Sequence, residues 1–190
     1  MDLQISGGGR RNSTLICAPV MAESVDQMLS QIRTAKELGA DLVEIRIDYL
    51  KNFSPKQDLE VLIKQSSLPT LITYRPKWEG GEYDGDEGKR QEALRLAVEL
   101  GADYIDVELQ VAPEFVSSIQ GRNSEKTKII ISSHNYEKTP SSEEIGNLAA
   151  RIQAAGADIV KIATTAQEIT DCARIFNCWL ILKFRPSLLL

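Results

Sequence analysis

Two side chains of this sequence stand at the ends of short apolar segments, where charged or titratable groups are uncommon. Lys161 lies in DIVKIAT, and His134, the only histidine of the chain, follows the apolar run KIIIS in the segment SSHNY. A lysine that is kept from water loses its proton more easily, and the neutral amine can attack a ketone and form an imine. A neighbouring imidazole can then remove a proton from the adjacent carbon. The pair predicts imine chemistry assisted by proton transfer.

Further charged side chains alternate with apolar ones in another short segment. Glu44, Arg46 and Asp48 alternate with isoleucines in VEIRID, so they share one face of a predicted strand. Burying such groups without partners costs several kcal/mol each, which favours a functional role. The alternative is a structural network of buried ion pairs, for example Arg46 with Glu44 or Glu108.

Two more segments bring charged residues to strand ends. Arg75 ends the apolar segment TLITYR, and the loop PKWEGGEYDGD that follows has the glycines and acids of a lid over a site. Asp106 and Glu108 lie in a later strand, DYIDVEL. Because Arg46 or Arg75 would lie near Lys161, we expect their charges and burial to lower the pKa of the lysine.

An internal repeat indicates the elements that position these residues. ELGADLVEIRID (37–48), ELGADYIDVEL (99–109) and AAGADIVKIAT (154–164) each read as a helix end, a glycine able to adopt a left-handed conformation, and a buried strand. Further strands are predicted at 14–20, 70–75 and 128–132, and helices at 24–38, 55–65, 88–100, 113–120, 141–155 and 167–176.

This alternation of about six strand–helix units predicts an α/β fold with a parallel sheet covered by helices. No glycine-rich phosphate loop follows the first strand, which argues against an open dinucleotide-binding sheet. The repeat favours a TIM-type barrel, in which active residues come from the carboxyl ends of several strands.

Composition excludes some classes of partner. The 190 residues carry a formal net charge of −5, so neither nucleic acid nor a membrane surface is an expected partner. Three scattered cysteines and one histidine offer no metal-binding motif, and we expect no metal site.

The strand-end motifs together resemble type I 3-dehydroquinate dehydratases, including the dehydratase half of the plant bifunctional dehydratase/shikimate dehydrogenases. They are VEIRID (43–48), TYRPKWEGGEY (73–83), DYIDVEL (103–109), ISSHNY (131–136) and DIVKIATTA (158–166). The resemblance implies a (β/α)8 barrel that dehydrates 3-dehydroquinate to 3-dehydroshikimate in the shikimate pathway, without a cofactor. An aldolase of the imine-forming class shares the lysine but does not account for SSHNY together with VEIRID.

The resemblance also implies roles for single residues. Lys161 forms the Schiff base with the substrate ketone, and His134 moves the proton and assists loss of the hydroxyl. Glu79 or a neighbour in the loop orients the site. Arg75 binds substrate, while Glu44 and Arg46 bind substrate polar groups or support His134. Relatives from plants imply a chloroplast location, with the cytoplasm as the alternative.

The pattern of that family is not matched near the end of the sequence. We expect a flexible leader at 1–12, an incomplete barrel at 13–177 and a divergent tail at 178–190, in which WLILKF adds a surrogate strand and LLL covers part of the gap. Two hypotheses follow. Either the protein is a working dehydratase, completed by its tail, by self-association or by a partner chain, or it is an impaired relative that keeps the imine site and binds substrate poorly.

Overall fold

Strand and helix alternate throughout the computed structural model, which describes residues 14–119, 126–183 and 188–189. The strands are β1 (Cys17–Val20), β2 (Leu42–Arg46), β3 (Thr70–Thr73), β4 (Tyr104–Glu108), β5 (Lys128–Asn135), β6 (Ile159–Thr164) and β7 (Leu188–Leu189). The helices are α1 (Val25–Glu37), α2 (Pro55–Gln65), α3 (Glu87–Glu99), α4 (Ala112–Ile119), α5 (Ser142–Ala154) and α6 (Ile169–Lys183).

The expected leader at 1–12 lies outside the described residues. None of the helices in the described part combines the length and apolar character needed to cross a membrane.

The strands form one parallel sheet in the order of the chain, from β1 to β7. The sheet is strongly curled. The contact that shows this joins Lys161 Nζ on β6 to Glu44 Oε1 on β2, at a distance of 3.1 Å. In a flat sheet these strands would lie four spacings, or about 19 Å, apart. The expectation of an incomplete α/β barrel with six strand–helix units is therefore confirmed, with β7 as a short additional strand.

Successive side chains of each strand point to opposite faces of the sheet, and each face has its own apolar surface. Outward-facing residues such as Val43, Ile72 and Ile131 are fully buried beneath the helices. On the inner face, a smaller apolar cluster forms the floor of the curled sheet and consists of Leu42, Leu71, Ile130 and Ile159. Above this floor the inward positions are polar or charged, so polar side chains collect at the carboxyl ends of the strands, where the active residues of such barrels lie.

The helix ends follow local sequence signals. Gly39, Gly101 and Gly156 have φ values of 91°, 86° and 94° and lie just beyond the ends of α1, α3 and α5, as the repeat predicts. At the start of α5, the Ser141 side chain accepts a hydrogen bond from the Glu144 N–H, and the Glu144 carboxylate accepts one from Ser141. The predicted helices are all present, and α2 has the predicted bounds.

The tail differs from expectation in one respect. The prediction that WLILKF forms a strand is wrong, because α6 continues through Lys183. Cys178 is buried one turn after Ile175, which packs against the core, and thus extends the buried stripe of the helix. It is Leu188–Leu189, in the final leucine run, that pairs with β6 at Ile159 and Val160.

Candidate active site

Lys161 lies on the inner face of β6, above the apolar floor and opposite Ser132 of β5. Its Nζ donates hydrogen bonds to Asp106 Oδ2 at 2.8 Å and to Glu44 Oε1 at 3.1 Å. Glu44 Oε1 also accepts a hydrogen bond of 2.8 Å from the Thr73 hydroxyl. The lysine side chain is 23% exposed. Two carboxylates therefore hold an amine that is accessible from the open side of the sheet.

The charge state of Lys161 differs from the expectation based on sequence. Burial lowers the pKa of its ammonium group, but the negative charges of Asp106 and Glu44 and a hydrogen bond to Asp106 raise it more, and Arg75 lowers it only in part. The net pKa of Lys161 lies above its usual value, so the predicted lowering is wrong. Both carboxylates contact the amine directly, at 2.8 and 3.1 Å, and the sequence alone does not show this. Attack by Lys161 on a ketone therefore requires the amine to lose a proton first.

Arg75 lies at the centre of the buried charges. Its Nη2 is 2.7 Å from Asp106 Oδ2, and its Nη1 donates to Glu108 Oε1 at 2.6 Å and to the Ser132 hydroxyl at 2.9 Å. Ser132 in turn donates to Asp106 Oδ1 at 2.5 Å. Burial tends to raise the pKa of Asp106, but Lys161, Arg75 and these hydrogen bonds hold it well below its usual range. Asp106 is therefore a permanent negative charge beneath the amine.

Glu108 joins this cluster to helix α3. Its Oε2 lies 2.7 Å from Arg90 Nη1, in an ionic contact without the geometry of a well-directed hydrogen bond. The same Nη1 donates to the Tyr74 carbonyl at 2.7 Å, and the remaining donors of Arg90 form a two-point contact with Glu87. Burial raises the pKa of Glu108 to about 7, against the opposing charges of Arg90 and Arg75.

His134 lies on β5 and pairs with Ala163 of β6. It is two positions nearer the carboxyl end of β5 than Ser132, the residue that pairs with Lys161. Its Nδ1 is 2.6 Å from Glu79 Oε2, and both side chains are largely buried. A carboxylate at Nδ1 favours the tautomer that leaves Nε2 free to accept a proton. The histidine is therefore arranged as a base.

The loop after β3 supplies Glu79 and is folded closely on the site. Its single-turn helix, Lys77–Glu79, ends at Gly80, which has a φ of 77°. The Tyr136 ring occupies the space where a Cβ of Gly80 would lie, at 2.4 Å, and stacks near His134 with ring centroids 5.9 Å apart. The loop thus carries the partner of His134 as well as covering it.

Arg46 is paired within its own strand end. Its Nε and Nη2 donate to the two carboxylate oxygens of Asp48 at 2.9 and 2.6 Å. The suggested pairing of Arg46 with Glu44 or Glu108 is therefore wrong, because Asp48 turns back in the 3-10 helix Ile47–Tyr49. Asp48 also accepts a hydrogen bond from the Glu82 N–H, which ties the loop after β3 to β2.

An amine and a histidine–carboxylate pair on adjacent strands of a parallel barrel allow imine formation and proton transfer in one site. A family model described as type I 3-dehydroquinase matches residues 16–183 of the chain. The chain belongs to the type I 3-dehydroquinase family.

Individual relatives agree with the family assignment. The chain is 64% identical over 167 residues to a chloroplastic bifunctional 3-dehydroquinate dehydratase/shikimate dehydrogenase of Arabidopsis thaliana, covering 88% of this chain and 28% of that protein. It is 36% identical over 164 residues to a 3-dehydroquinate dehydratase of Methanocaldococcus jannaschii, covering 86% of this chain and 72% of that protein.

Solved structures of the family share the fold. A type I 3-dehydroquinate dehydratase of Clostridium difficile, with covalently modified comenic acid, has a TM-score of 0.80 and 28% identity, covering 88% of this chain and 69% of that chain. An Enterococcus faecalis 3-dehydroquinate dehydratase has a TM-score of 0.81 and 29% identity, covering 93% and 77%.

The structure brings together the residues that the sequence singled out. Lys161, Glu44 and Arg75 share the cluster around Asp106, and His134 pairs with Glu79. Arg46 lies on the same strand as Glu44 but is held by Asp48. The sequence reasoning missed Arg90, which lies within the predicted helix 88–100. Its spacing of four and seven residues from Leu94 and Ala97 places it on the buried face of α3 and could have revealed it.

Proposed function

We propose that this protein dehydrates 3-dehydroquinate to 3-dehydroshikimate in the shikimate pathway of aromatic amino acid biosynthesis, through an imine on Lys161. The observation that carries the proposal is the Lys161 amine, held by Asp106 and Glu44 at 2.8 and 3.1 Å on the same barrel face as the His134–Glu79 pair. Family membership and the names of the relatives support the same activity.

The proposed reaction uses one lysine and one base. The deprotonated Nζ of Lys161 attacks the ketone carbon, whose oxygen leaves as water, and the protonated imine nitrogen becomes an electron sink. His134 removes a proton from the adjacent carbon, and the electron pair moves toward the imine nitrogen to give an enamine. The nitrogen then returns these electrons, which form the new double bond as the hydroxyl of the next carbon leaves and takes the proton from His134 to become water. Hydrolysis of the imine consumes one water molecule and frees the amine, so the net change is the loss of one water.

Other residues of the site would hold the substrate. Arg75, Arg46 and Glu44 offer donors and an acceptor for its carboxylate and hydroxyl groups, since all three face the inner side of the curled sheet. Glu79 keeps the imidazole in the tautomer that accepts a proton at Nε2. The imine nitrogen is itself the electron sink, so the proposed steps use no metal and no organic cofactor.

The decisive experiment is reductive trapping. The protein is incubated with 3-dehydroquinate and sodium borohydride, and peptide mass spectrometry locates the reduced adduct, with Lys128→Arg as a matched control on the neighbouring strand. We expect an adduct on Lys161, loss of that adduct in Lys161→Arg, and turnover of untreated substrate. An adduct without turnover would support the impaired relative instead. If Lys161 carries no adduct, both forms of the proposal are overturned.

The edges of the sheet suggest a partner in addition to the small substrate. In the described residues β1 pairs only with β2, and the apolar side chains of Leu15 and Ile16 before it are 46% and 62% exposed. Such an edge can accept a further strand. We propose that a second copy or a partner chain completes the barrel there. Light scattering after gel filtration should show a mass above 21.1 kDa, and a stable monomer with full activity would contradict this.

A chloroplast location is proposed from the chloroplastic plant relative. Immunodetection of the native protein in isolated chloroplasts treated with protease tests it. Enrichment in the cytosolic fraction would overturn this proposal without bearing on the chemistry.

A further inference from the structure

Five charged side chains form a continuous line of alternating sign across the inner face of the sheet. Arg90 Nη1 lies 2.7 Å from Glu108, Glu108 lies 2.6 Å from Arg75, Arg75 lies 2.7 Å from Asp106, and Asp106 lies 2.8 Å from Lys161. The line begins on helix α3, outside the sheet, and ends at the amine that we propose to react. It therefore connects the reactive lysine to an element distant from it in sequence and space.

The members of the line differ sharply in exposure. Arg90, Glu108 and Asp106 have fully buried side chains, and that of Arg75 is 3% exposed, whereas Lys161 is 23% exposed. Charges in such surroundings interact strongly, and removing one leaves its neighbours uncompensated. Of the five, the lysine is the most open to a ligand, and Arg75 presents only a small part of its side chain to the site. The far end of the line can influence chemistry only through its neighbours.

Shared atoms make the position of each member depend on the next. Glu108 offers one carboxylate oxygen to Arg90 and the other to Arg75. Asp106 Oδ2 contacts both Arg75 and Lys161. The position of Arg75 therefore affects how strongly this oxygen can accept a hydrogen bond from the amine. Arg90 is itself fixed by the carbonyl of Tyr74, the residue before Arg75, and by Glu87.

We propose that Glu108 and Arg90 are positioning residues that hold Arg75 against Asp106 and thereby fix the place and the charge of the Lys161 amine. Neither residue touches the substrate in this proposal. The inference deepens the proposed function and rests on it for its catalytic consequence. Its first test, however, reads Lys161 directly and needs no turnover.

Other titratable groups also face these residues. Lys161 additionally faces Glu44 of β2 and the Cys17 thiol of β1, and burial raises the pKa of that thiol to about 11. Glu108 faces Arg75, Arg90 and Asp106. Glu108 lies between Arg75 and Arg90, whose charges favour its carboxylate form in the range above pH 8, where lysines are titrated.

The test uses Glu108→Gln, which removes the charge and keeps the shape. Trace acetylation with acetic anhydride between pH 8 and pH 12, read by peptide mass spectrometry, gives the titration midpoint of Lys161, with the exposed Lys128 as internal reference. We expect the midpoint to fall by about half a pH unit or more, because a negative charge that favours the ammonium form is lost. Glu92→Gln is the matched control, since it removes the same charge from an exposed position of helix α3.

An unchanged midpoint in Glu108→Gln, or an equal shift in Glu92→Gln, would overturn the proposal. If Glu108→Gln does not fold, Glu108→Asp takes its place. The shorter side chain keeps the charge but cannot reach both arginines, and the midpoint should fall by a smaller amount. No shift in Glu108→Asp would then overturn the proposal.

A second readout separates positioning from a structural role. Arg90→Lys keeps the charge but loses the planar fork that contacts Tyr74 and Glu87. We expect KM for 3-dehydroquinate to rise at least about three-fold with a smaller change in kcat, since Arg75 would be displaced. A lower melting temperature with unchanged KM would indicate a structural role only. If the native protein has no turnover, the proposed function fails, and the titration of Lys161 still tests the positioning.

Discussion

The two side chains that we propose to react each contact a carboxylate that another part of the chain supplies. Glu79, from the loop after β3, holds His134 at 2.6 Å, and Asp106, from β4, holds Lys161 at 2.8 Å. Neither carboxylate has much freedom to move. Asp106 is fully buried and contacts Arg75, and Glu79 is largely buried. The geometry of the site therefore depends on acids that do not themselves form bonds to the substrate in the proposed reaction.

Glu79→Gln tests this dependence for the histidine. The amide keeps the size of the side chain but can present an N–H to Nδ1, which favours the opposite tautomer and removes the free base at Nε2. We expect kcat for dehydration to fall by roughly 100-fold, within the range for loss of general acid–base catalysis. Steady-state kinetics measure this, and Glu82→Gln, an exposed acid of the same loop, should retain the activity of the native protein. Equal losses in both variants would contradict a role for Glu79 through His134.

The sequence reveals a site residue when that residue differs in polarity from its neighbours in the chain. Lys161 and His134 stood out because each interrupts or ends an apolar run. The pKa of Lys161 was predicted in the wrong direction, because it depends on Asp106 and Glu44, which are 55 and 117 positions away in the chain. Distances of this kind follow from the register and curl of the sheet, which the local pattern does not contain.

At the scale of elements, the loop after β3 is held in place by close backbone approaches. A Cβ on Gly81 would lie 2.1 Å from the Arg75 carbonyl oxygen, which belongs to the backbone and cannot turn away. The Gly81 N–H also donates to the Pro76 carbonyl at 3.0 Å, and Tyr83 N–H donates to Arg75. The loop can therefore carry Glu79 to His134 only because position 81 has no side chain.

Gly81→Ala should displace this loop. We expect the variant to lose at least about ten-fold in kcat/KM, because even an ångström of misplacement at Glu79 weakens proton transfer. Gly146→Ala is the matched control: position 146 lies inside α5 with open space around it, and the change should stabilise the fold by about 0.5–1 kcal/mol. Kinetics and urea unfolding measure the two effects. Native kinetics in Gly81→Ala would show that the loop does not position Glu79.

The sequence predicts the presence and order of the strands and helices better than the residues at which they begin and end. The repeat identified β2, β4 and β6 together with the glycines that close α1, α3 and α5, because these signals are local. The exception is the tail, where the prediction of a strand in WLILKF is wrong. Apolar runs of this length suit a strand or a buried helix equally, and the buried positions of α6 at Asp171 and Cys178 decide in favour of the helix.

Over the whole molecule, curling of the sheet brings charged residues of β2, β4 and β6 and Arg75, just after β3, into one buried cluster. Such a cluster couples the stability of the fold to the charge of the site. Asp106 is the clearest member, since its side chain is fully buried and its pKa is held well below the usual value of 3.8. A group with a lowered pKa in the folded state stabilises the fold above the pKa of the unfolded state, and this contribution disappears as the pH falls toward the folded value.

Asp106→Asn should therefore be destabilised in a pH-dependent way. At pH 7 we expect the free energy of unfolding to fall by about 3 kcal/mol or more, because Arg75 and Lys161 lose a buried partner. The difference from the native protein should stay constant down to about pH 5 and shrink below about pH 4, where the unfolded native chain takes up the proton that Asp106 resists in the fold. Urea unfolding at pH 7, 5, 4 and 3 measures it. Asp84→Asn, which removes an exposed partner of Lys77, should change stability by under about 1 kcal/mol at every pH. A difference for Asp106→Asn that is the same at pH 7 and pH 3 would show that its charge does not stabilise the fold.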